Sequence, residues 1–90
     1  MRIAVLGTGT VGTTIASKLI ELGHQVMLGT RDNTNEKSIE FVNQYDENIS
    51  LGTFEEAALF GEIIFNCIKG EFVLETLEAA KKGIENKVLI

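Results

Sequence analysis

The sequence contains no proline and no tryptophan, and it has only one cysteine, Cys67, and one histidine, His24. A single cysteine excludes an internal disulfide, and no group of residues has the spacing of a metal site or of a Ser-His-Asp triad. No apolar run approaches the ~20 residues that a membrane helix requires. No signal-peptide pattern opens the chain, so we expect a cytoplasmic protein.

Positive charge is scarce as well, with 8 Lys and Arg against 13 Asp and Glu and a net charge of −5 at pH 7. Nucleic acids and anionic membranes bind proteins through basic patches, so the composition argues against both as partners. Apolar residues make up 44% of the chain without any low-complexity segment, which is typical of a globular protein. We therefore expect one compact domain over residues 1–90.

Short apolar runs alternate with longer segments of helical spacing, which is the pattern of βαβ units. Strands are predicted at 3–6, 25–29, 49–51, 62–68 and 87–90. Helices are predicted in the intervals between these strands. Because parallel crossovers are right-handed in nearly all proteins, we expect an α/β fold of the Rossmann type. Its five parallel strands would have the order 3-2-1-4-5, with helices on both faces.

The first helix is predicted from an apolar face that runs from Val11 to Leu22. Gly23 follows as a left-handed stop. His24 comes directly after that stop, at the edge of the sheet opposite the carboxyl end of the first strand. We interpret it as an exposed connector residue without a catalytic role.

The later helices carry their own boundary signals. Asn33 and Glu36 have the spacing of a capping box before a second helix, and Thr53 and Glu56 have the same spacing before a third. The last helix is predicted to begin near residue 72 and to stop at Gly83.

The first strand leads directly into a glycine-rich loop. Its residues are Gly7, Thr8, Gly9, Thr10, Val11 and Gly12. A Gly-x-Gly-x-x-Gly pattern between a strand and an amphipathic helix is typical of a loop that binds the pyrophosphate of a dinucleotide. The three glycines permit the turn, the approach of the phosphates and the close packing of the helix, in that order. The amides around Thr10 and Val11 would face the phosphates, and Thr8 and Thr10 add hydroxyl donors. The alternative is a tight turn that binds no ligand.

The end of the second strand discriminates between NAD and NADP. NAD-binding domains place an acidic side chain there, about 20 residues after the glycine loop, and here Gly29 occupies that position. Thr30 and Arg31 follow, and a hydroxyl beside a guanidinium suits a 2′-phosphate, so NADP is favoured over NAD. Asp32 keeps NAD open, because it takes the acidic role if the strand ends later. Lys37 is a second candidate phosphate contact, although a solvated helix lysine is the simpler interpretation.

Residues 2–12 and 22–31 resemble the NADP-binding domain of the coenzyme F420-dependent NADP oxidoreductase family, and the likeness extends more faintly to residue 90. The glycine loop is shared with many reductases, so Gly29-Thr30-Arg31 is the narrower match. The resemblance implies that Thr30 and Arg31 bind the 2′-phosphate of NADP. It also implies that the loop after the fourth strand, which contains Cys67 and Ile68, lies along the cofactor, and that coenzyme F420 is the redox partner.

Two functions remain open at this point. The first is the NADP(H)-binding domain of an oxidoreductase that transfers a hydride between NADP(H) and a second cofactor or small substrate. No catalytic side chain is evident, in agreement with chemistry that the nicotinamide supplies. The second is a nucleotide-binding or regulatory module without catalysis. The resemblance implies that the chain is the N-terminal part of a longer enzyme and is inactive alone.

Two further expectations concern Cys67 and the edge of the sheet. Cys67 is more typical of a small buried hydrophobic residue than of a reactive thiol. A fifth strand without a neighbour on one side presents unpaired backbone groups, which predicts self-association, for example into a homo-oligomer, or low solubility.

Overall fold

The computed structural model describes residues 1–7, 9–30, 36–45, 48–68, 78, 81–84 and 87–90. The strands are β1 (Arg2–Leu6), β2 (Gln25–Thr30), β3 (Ile49–Thr53), β4 (Ile63–Asn66) and β5 (Val88–Leu89). The helices are α1 (Thr10–Glu21), α2 (Glu36–Asn43), α3 (Phe54–Phe60) and α4 (Lys81–Ile84). Within the described residues, no helix is long and apolar enough to cross a membrane.

All five strands are parallel and form one sheet in the order β3-β2-β1-β4-β5, so the predicted fold class and strand order are confirmed. In the central strand β1, Val5 lies opposite Leu28 of β2 and Phe65 of β4. The strand order reverses between β1 and β4, because the chain runs outward to β3 and then returns to the other side of β1. The carboxyl ends of β1 and β4 therefore flank the switch point where open α/β sheets bind their ligands.

The alternation of side chains along β1 divides the core between the two faces of the sheet. Ala4 and Leu6 are fully buried against α3, together with Ala57 of that helix. Val5 is fully buried on the other face, where it packs with Ala16 of α1. Because both faces of β1 are covered, an uninterrupted apolar run is what this strand requires.

Strands β3 and β4 differ in length from the sequence prediction. β3 continues to Thr53 rather than ending at Leu51, because its last two residues pair with the end of β2. β4 ends at Asn66, before Cys67 and Ile68, because its pairing with β1 stops where β1 itself ends. Both strands therefore end beside the carboxyl ends of their neighbours.

The predicted apolar face of α1 is wrong at both of its ends. Val11 and Leu22 are each 63% exposed, because Val11 lies in the first helical turn and Leu22 lies beyond the last residue of the helix. Gly23 has φ +91° and ends the helix as predicted. His24 is half-buried rather than exposed, and its Nδ1 atom is covered without a hydrogen-bond partner among the described residues.

The boundaries of the other helices agree with the sequence in part. The capping box of Thr53 and Glu56 is present at the start of α3, and α2 begins at Glu36. Asn33 and residues 71–77 lie outside the described residues, so the predicted cap of α2 and the start of the last helix stay predictions. Gly83 does not stop that helix but lies inside α4. A Cβ atom at Gly83 would lie 2.5 Å from the Cβ of Ala58, so this glycine permits close contact with α3.

Candidate functional site

The first glycine of the loop is held between the two strands that flank β1. The amide of Gly7 donates to the carbonyl of Gly29 at the end of β2, at 2.9 Å. On the other side, a Cβ atom at Gly7 would lie 2.9 Å from the carbonyl oxygen of Cys67, which follows β4. The φ of Gly7 is +113°, a conformation that residues with side chains rarely adopt. Glycine is therefore required here by the turn and by the close contact with Cys67.

Glycine is required at the third position of the loop because of its contact with the first glycine. A Cβ atom at Gly12 would overlap the carbonyl oxygen of Gly7, and it would lie 3.6 Å from the Cβ of Cys67. Gly12 is buried, so the first turn of α1 packs directly on the loop that precedes it. The expectation that this glycine permits close packing of the helix is confirmed, with the backbone of Gly7 as its contact.

The middle glycine differs from the other two, because nothing in the described structure requires it. Gly9 has φ −73° and ψ −175°, an extended conformation that any residue adopts. Apart from its two chain neighbours, no heavy atom of the described residues lies within 4 Å of the position that its Cβ would occupy. Neither strain nor packing thus explains the absence of a side chain. Open space in front of Gly9 fits the approach of a phosphate group to the backbone.

The amides that follow Gly9 are not satisfied by side chains of the described residues. Gly9 is the N-cap of α1 and makes no side-chain cap hydrogen bond, and the first turn contains no acidic residue. The hydroxyls of Thr13 and Thr14 donate to carbonyls of Gly9 and Thr10, at 2.7–3.2 Å, and so do not cap the amides. Within the part of the chain that the structure describes, the first turn therefore offers N–H groups without side-chain partners and the positive end of the helix dipole, which together suit an anion.

The residues after β4 form the other wall of the glycine loop. The amide of Cys67 donates to the carbonyl of Leu6 at 2.9 Å, and the amide of Ile68 donates to Oδ1 of Asn66 at 3.3 Å. Cys67 is half-buried and packs against the core on the α1 face, and burial raises the pKa of its thiol. The thiol is therefore held in its protonated form, as expected for a hydrophobic packing residue rather than a nucleophile.

The end of β2 contributes two residues to the same edge of the sheet. A Cβ atom at Gly29 would lie 3.0 Å from both the Cβ of Ala57 and Cδ2 of Leu6, so a larger side chain at this position would require these neighbours to shift. β2 also ends one residue later than predicted, at Thr30, which corrects the assignment of Gly29 as its last residue. Thr30 is 7% exposed and already has an interaction partner.

The structure brings together most of the residues proposed from the sequence. These residues lie at or directly after the carboxyl ends of strands, at one edge of the sheet: Gly7, Gly9, Thr10, Val11, Gly12, Thr30, Cys67 and Ile68. Thr8, Arg31 and Asp32 lie outside the described residues, as does the side chain of Lys37. The sequence analysis did not single out Asn66, although one amide side chain at the end of an otherwise apolar strand was a visible signal.

The fold and this edge define a class of protein. A doubly wound parallel sheet, a Gly-x-Gly-x-x-Gly turn after its first strand and an uncapped helix N-terminus at the switch point are the features of a Rossmann-type dinucleotide-binding domain. The structure thus supports the interpretation of the glycine loop made from the sequence.

Comparison with known proteins identifies the family. Residues 2–90 match the family described as NADP oxidoreductase, coenzyme F420-dependent, and the chain belongs to this family. Over its whole length the chain is 33% identical to the F420-dependent NADP reductase of Methanothermobacter marburgensis. The recognition made from the sequence, an NADP-binding domain of this oxidoreductase family, is confirmed.

Solved structures agree with this result. A candidate F420-dependent NADP reductase from Arthrobacter sp. FB24 superposes with a TM-score of 0.89 over 99% of the chain, at 34% identity. The imine reductase of Streptomyces aurantiacus shares the fold, with a TM-score of 0.80 at 22% identity. The chain spans 43% of the Methanothermobacter and Arthrobacter proteins and 30% of the imine reductase.

Proposed function

We propose that residues 1–90 form one nucleotide-binding domain that holds NADP(H) for hydride transfer to or from a second redox partner. The observation that carries the proposal is the open N-terminus of α1, where Gly9 has no packing reason to be glycine and no side chain caps the first amides. Membership of a family described as NADP oxidoreductases supports NADP as the dinucleotide.

In this proposal the pyrophosphate lies over Gly9 and accepts hydrogen bonds from the amides of the first turn of α1. Gly7 lies against the carbonyl of Cys67, and Gly12 lies against the carbonyl of Gly7. These close contacts keep the glycine loop tight, so that the first turn of α1 faces the ligand. Thr8 and Thr10 would add hydroxyl donors. Val11, which belongs to the loop and is 63% exposed, would cover part of the cofactor with apolar surface.

The choice of NADP over NAD depends on the residues that follow β2. A side chain at position 29 would require Ala57 and Leu6 to shift, which disfavours an acidic residue there as the acceptor for the ribose 2′-hydroxyl of NAD. Arg31 would pair with the 2′-phosphate, with Thr30 beside it and Lys37 as a second positive group. A guanidinium suits this role because it donates two parallel hydrogen bonds to one phosphate.

The chemistry of hydride transfer would come from the nicotinamide of the bound cofactor. The chain itself would orient the cofactor: Cys67 and Ile68 lie against the glycine loop at the switch point, where they would line the path of the dinucleotide. The protonated state of Cys67 agrees with a contact role and not with covalent catalysis. The family description and the Methanothermobacter relative suggest coenzyme F420 as the redox partner.

Calorimetric titration with NADPH and with NADH tests the proposal. We expect tighter binding of NADPH, and we expect Arg31→Ala to weaken it by about 10- to 100-fold, since a charge-assisted hydrogen bond contributes roughly 1.5–3 kcal/mol. NADH binding should stay unchanged in the same variant. Lys18→Ala is a matched control, because Lys18 is exposed in the last turn of α1. This substitution removes the same charge at a position far from the loop.

The outcomes separate the parts of the proposal. Equal affinity for both nucleotides, unaffected by Arg31→Ala, would contradict the choice of NADP but keep the site. Failure to bind either nucleotide would contradict the site itself. The cytoplasmic location, the self-association of the sheet edge and the absence of nucleic-acid and membrane partners stay predictions from composition and pattern.

A further inference from the structure

Asn66 lies at the end of β4, in register with Leu6 at the end of β1. The rest of β4 is apolar, and this residue is half-buried, so an aliphatic side chain would satisfy packing at least as well. Its side-chain oxygen Oδ1 instead accepts a hydrogen bond from the amide of Ile68, two residues later, at 3.3 Å. This is the local side-chain to backbone bond by which asparagine stabilises a turn.

The backbone that this hydrogen bond constrains is the wall of the glycine loop. The turn contains Cys67, whose carbonyl oxygen lies 2.9 Å from where a Cβ of Gly7 would be. The Cβ of Cys67 lies 3.6 Å from where a Cβ of Gly12 would be. A change in the path of residues 66–68 would therefore move the atoms of Cys67 that lie against Gly7 and Gly12.

The strand on which the turn is built is already fixed by backbone hydrogen bonds. The amide of Asn66 donates to Ile90 at 2.7 Å, and the amide of Cys67 donates to Leu6 at 2.9 Å. The next amide, that of Ile68, has left the ladder, and its recorded partner is the side chain of Asn66. The asparagine thus adds one hydrogen bond to the backbone that directly follows the strand.

We propose that Asn66 is a positioning residue for the cofactor site, which holds the turn at 66–68 against Gly7 and Gly12 and so keeps the α1 N-terminus open to the pyrophosphate. This rests on the proposed function, because the ligand whose binding it tunes is NADP(H). Asn66 acts on the part of the site that serves the pyrophosphate, which NADPH and NADH share. Its loss should therefore weaken both nucleotides by the same factor.

The test uses an isosteric pair of variants. Asn66→Val removes the side-chain oxygen that accepts from the Ile68 amide, and valine suits a strand end. The threonine of Asn66→Thr has the same shape as valine, but its hydroxyl accepts from the amide two residues later. We expect Asn66→Val to weaken NADPH and NADH by an equal factor of about three- to tenfold, and Asn66→Thr to restore most of the affinity. Arg31→Ala, by contrast, should change the ratio between the two nucleotides.

A second readout separates positioning from general stability. Hydrogen exchange at the Ile68 amide should be faster in Asn66→Val than in Asn66→Thr, and the NMR shifts of Gly7 and Gly12 should move in the former only. If Asn66→Val does not fold, Asn66→Ala and Asn66→Ser are the equivalent pair. Equal affinities in both members of a pair, or a change in the NADPH to NADH ratio, would overturn the proposal.

The proposed function can fail without this inference failing. If the wild-type chain binds neither nucleotide, the cofactor assignment is wrong. The exchange rate at Ile68 and the shifts of Gly7 and Gly12 still decide whether Asn66 positions the loop.

Discussion

Helices α1 and α3 begin at the same edge of the sheet, but their N-termini are capped differently. In α3, Oγ1 of Thr53 accepts from the amide of Glu56 at 3.1 Å, and the Glu56 carboxylate accepts from the amide of Thr53 at 2.8 Å. In α1, the N-cap is Gly9 and no side chain of the described residues caps the first turn. The N-terminus of α3 is capped by its own residues, whereas the first amides of α1 have no such cap.

The two N-termini differ because of the residues at two equivalent helix positions. The N-cap and the third helical position are Thr53 and Glu56 in α3, and they are Gly9 and Gly12 in α1. Gly12 cannot carry a side chain, because Gly7 lies against it, so a capping box is excluded there by packing. Gly9 has space for a side chain and lacks one. Packing therefore explains why position 12 has no side chain, and we assign the absence of a side chain at position 9 to the ligand.

The largest effect is expected from Gly12→Ala, which places a methyl group against the carbonyl of Gly7. Overpacking of this kind costs about 1–3 kcal/mol of unfolding free energy, and the displaced loop should also lose NADPH binding. Urea denaturation and calorimetry measure the two losses. Thr14→Ala, at an exposed position of the same helix, is the control and should keep both properties. Unchanged stability of Gly12→Ala would contradict the packing described for the loop.

The closed helix provides a prediction of intermediate size. Thr53→Ala removes the cap of α3 and should lower the unfolding free energy by about 1 kcal/mol. NADPH affinity should stay within about twofold of the wild type, because the amides concerned have no role in binding. Denaturation and titration of the same preparation measure both quantities. A loss of affinity as large as that of a glycine-loop variant would show that the two helix ends are not functionally distinct.

The smallest effect concerns the pH dependence of stability. Burial raises the pKa of the Cys67 thiol in the folded chain above its ordinary value. The contribution of the neutral thiol to stability is therefore complete below the ordinary thiol pKa and is lost as pH rises through the raised value. Denaturation midpoints measured over this alkaline range should fall slightly in the wild type and less in Cys67→Ala. A steeper fall in the variant would contradict the assignment.

The fold was predictable because β1 and the glycine loop carry several signals that agree. The apolar run of β1 requires cover on both faces, and the glycine spacing places a turn and a helix directly after it. The capping box at Thr53 was equally readable, because its signal lies within four residues. These features are local, and their partners are close in sequence.

The features that the sequence did not reveal depend on contacts between distant segments. The ends of β3 and β4 are set by the lengths of their neighbours in the sheet. Gly83 resembles a helix stop, and only its contact with Ala58 shows why it lies inside a helix. The role of Asn66 likewise depends on the packing of its turn against Gly7.

Gly9→Ser tests the central claim most directly, because it gives α1 the kind of N-cap that α3 has. The backbone at Gly9 is already extended and its Cβ direction is open, so the chain should fold with an unfolding free energy equal to the wild type or higher by a few tenths of a kcal/mol. NADPH binding, measured by calorimetry on the same protein, should weaken by at least about tenfold, because the serine occupies the space and an amide assigned to the pyrophosphate. Wild-type affinity in a stably folded Gly9→Ser chain would contradict the account.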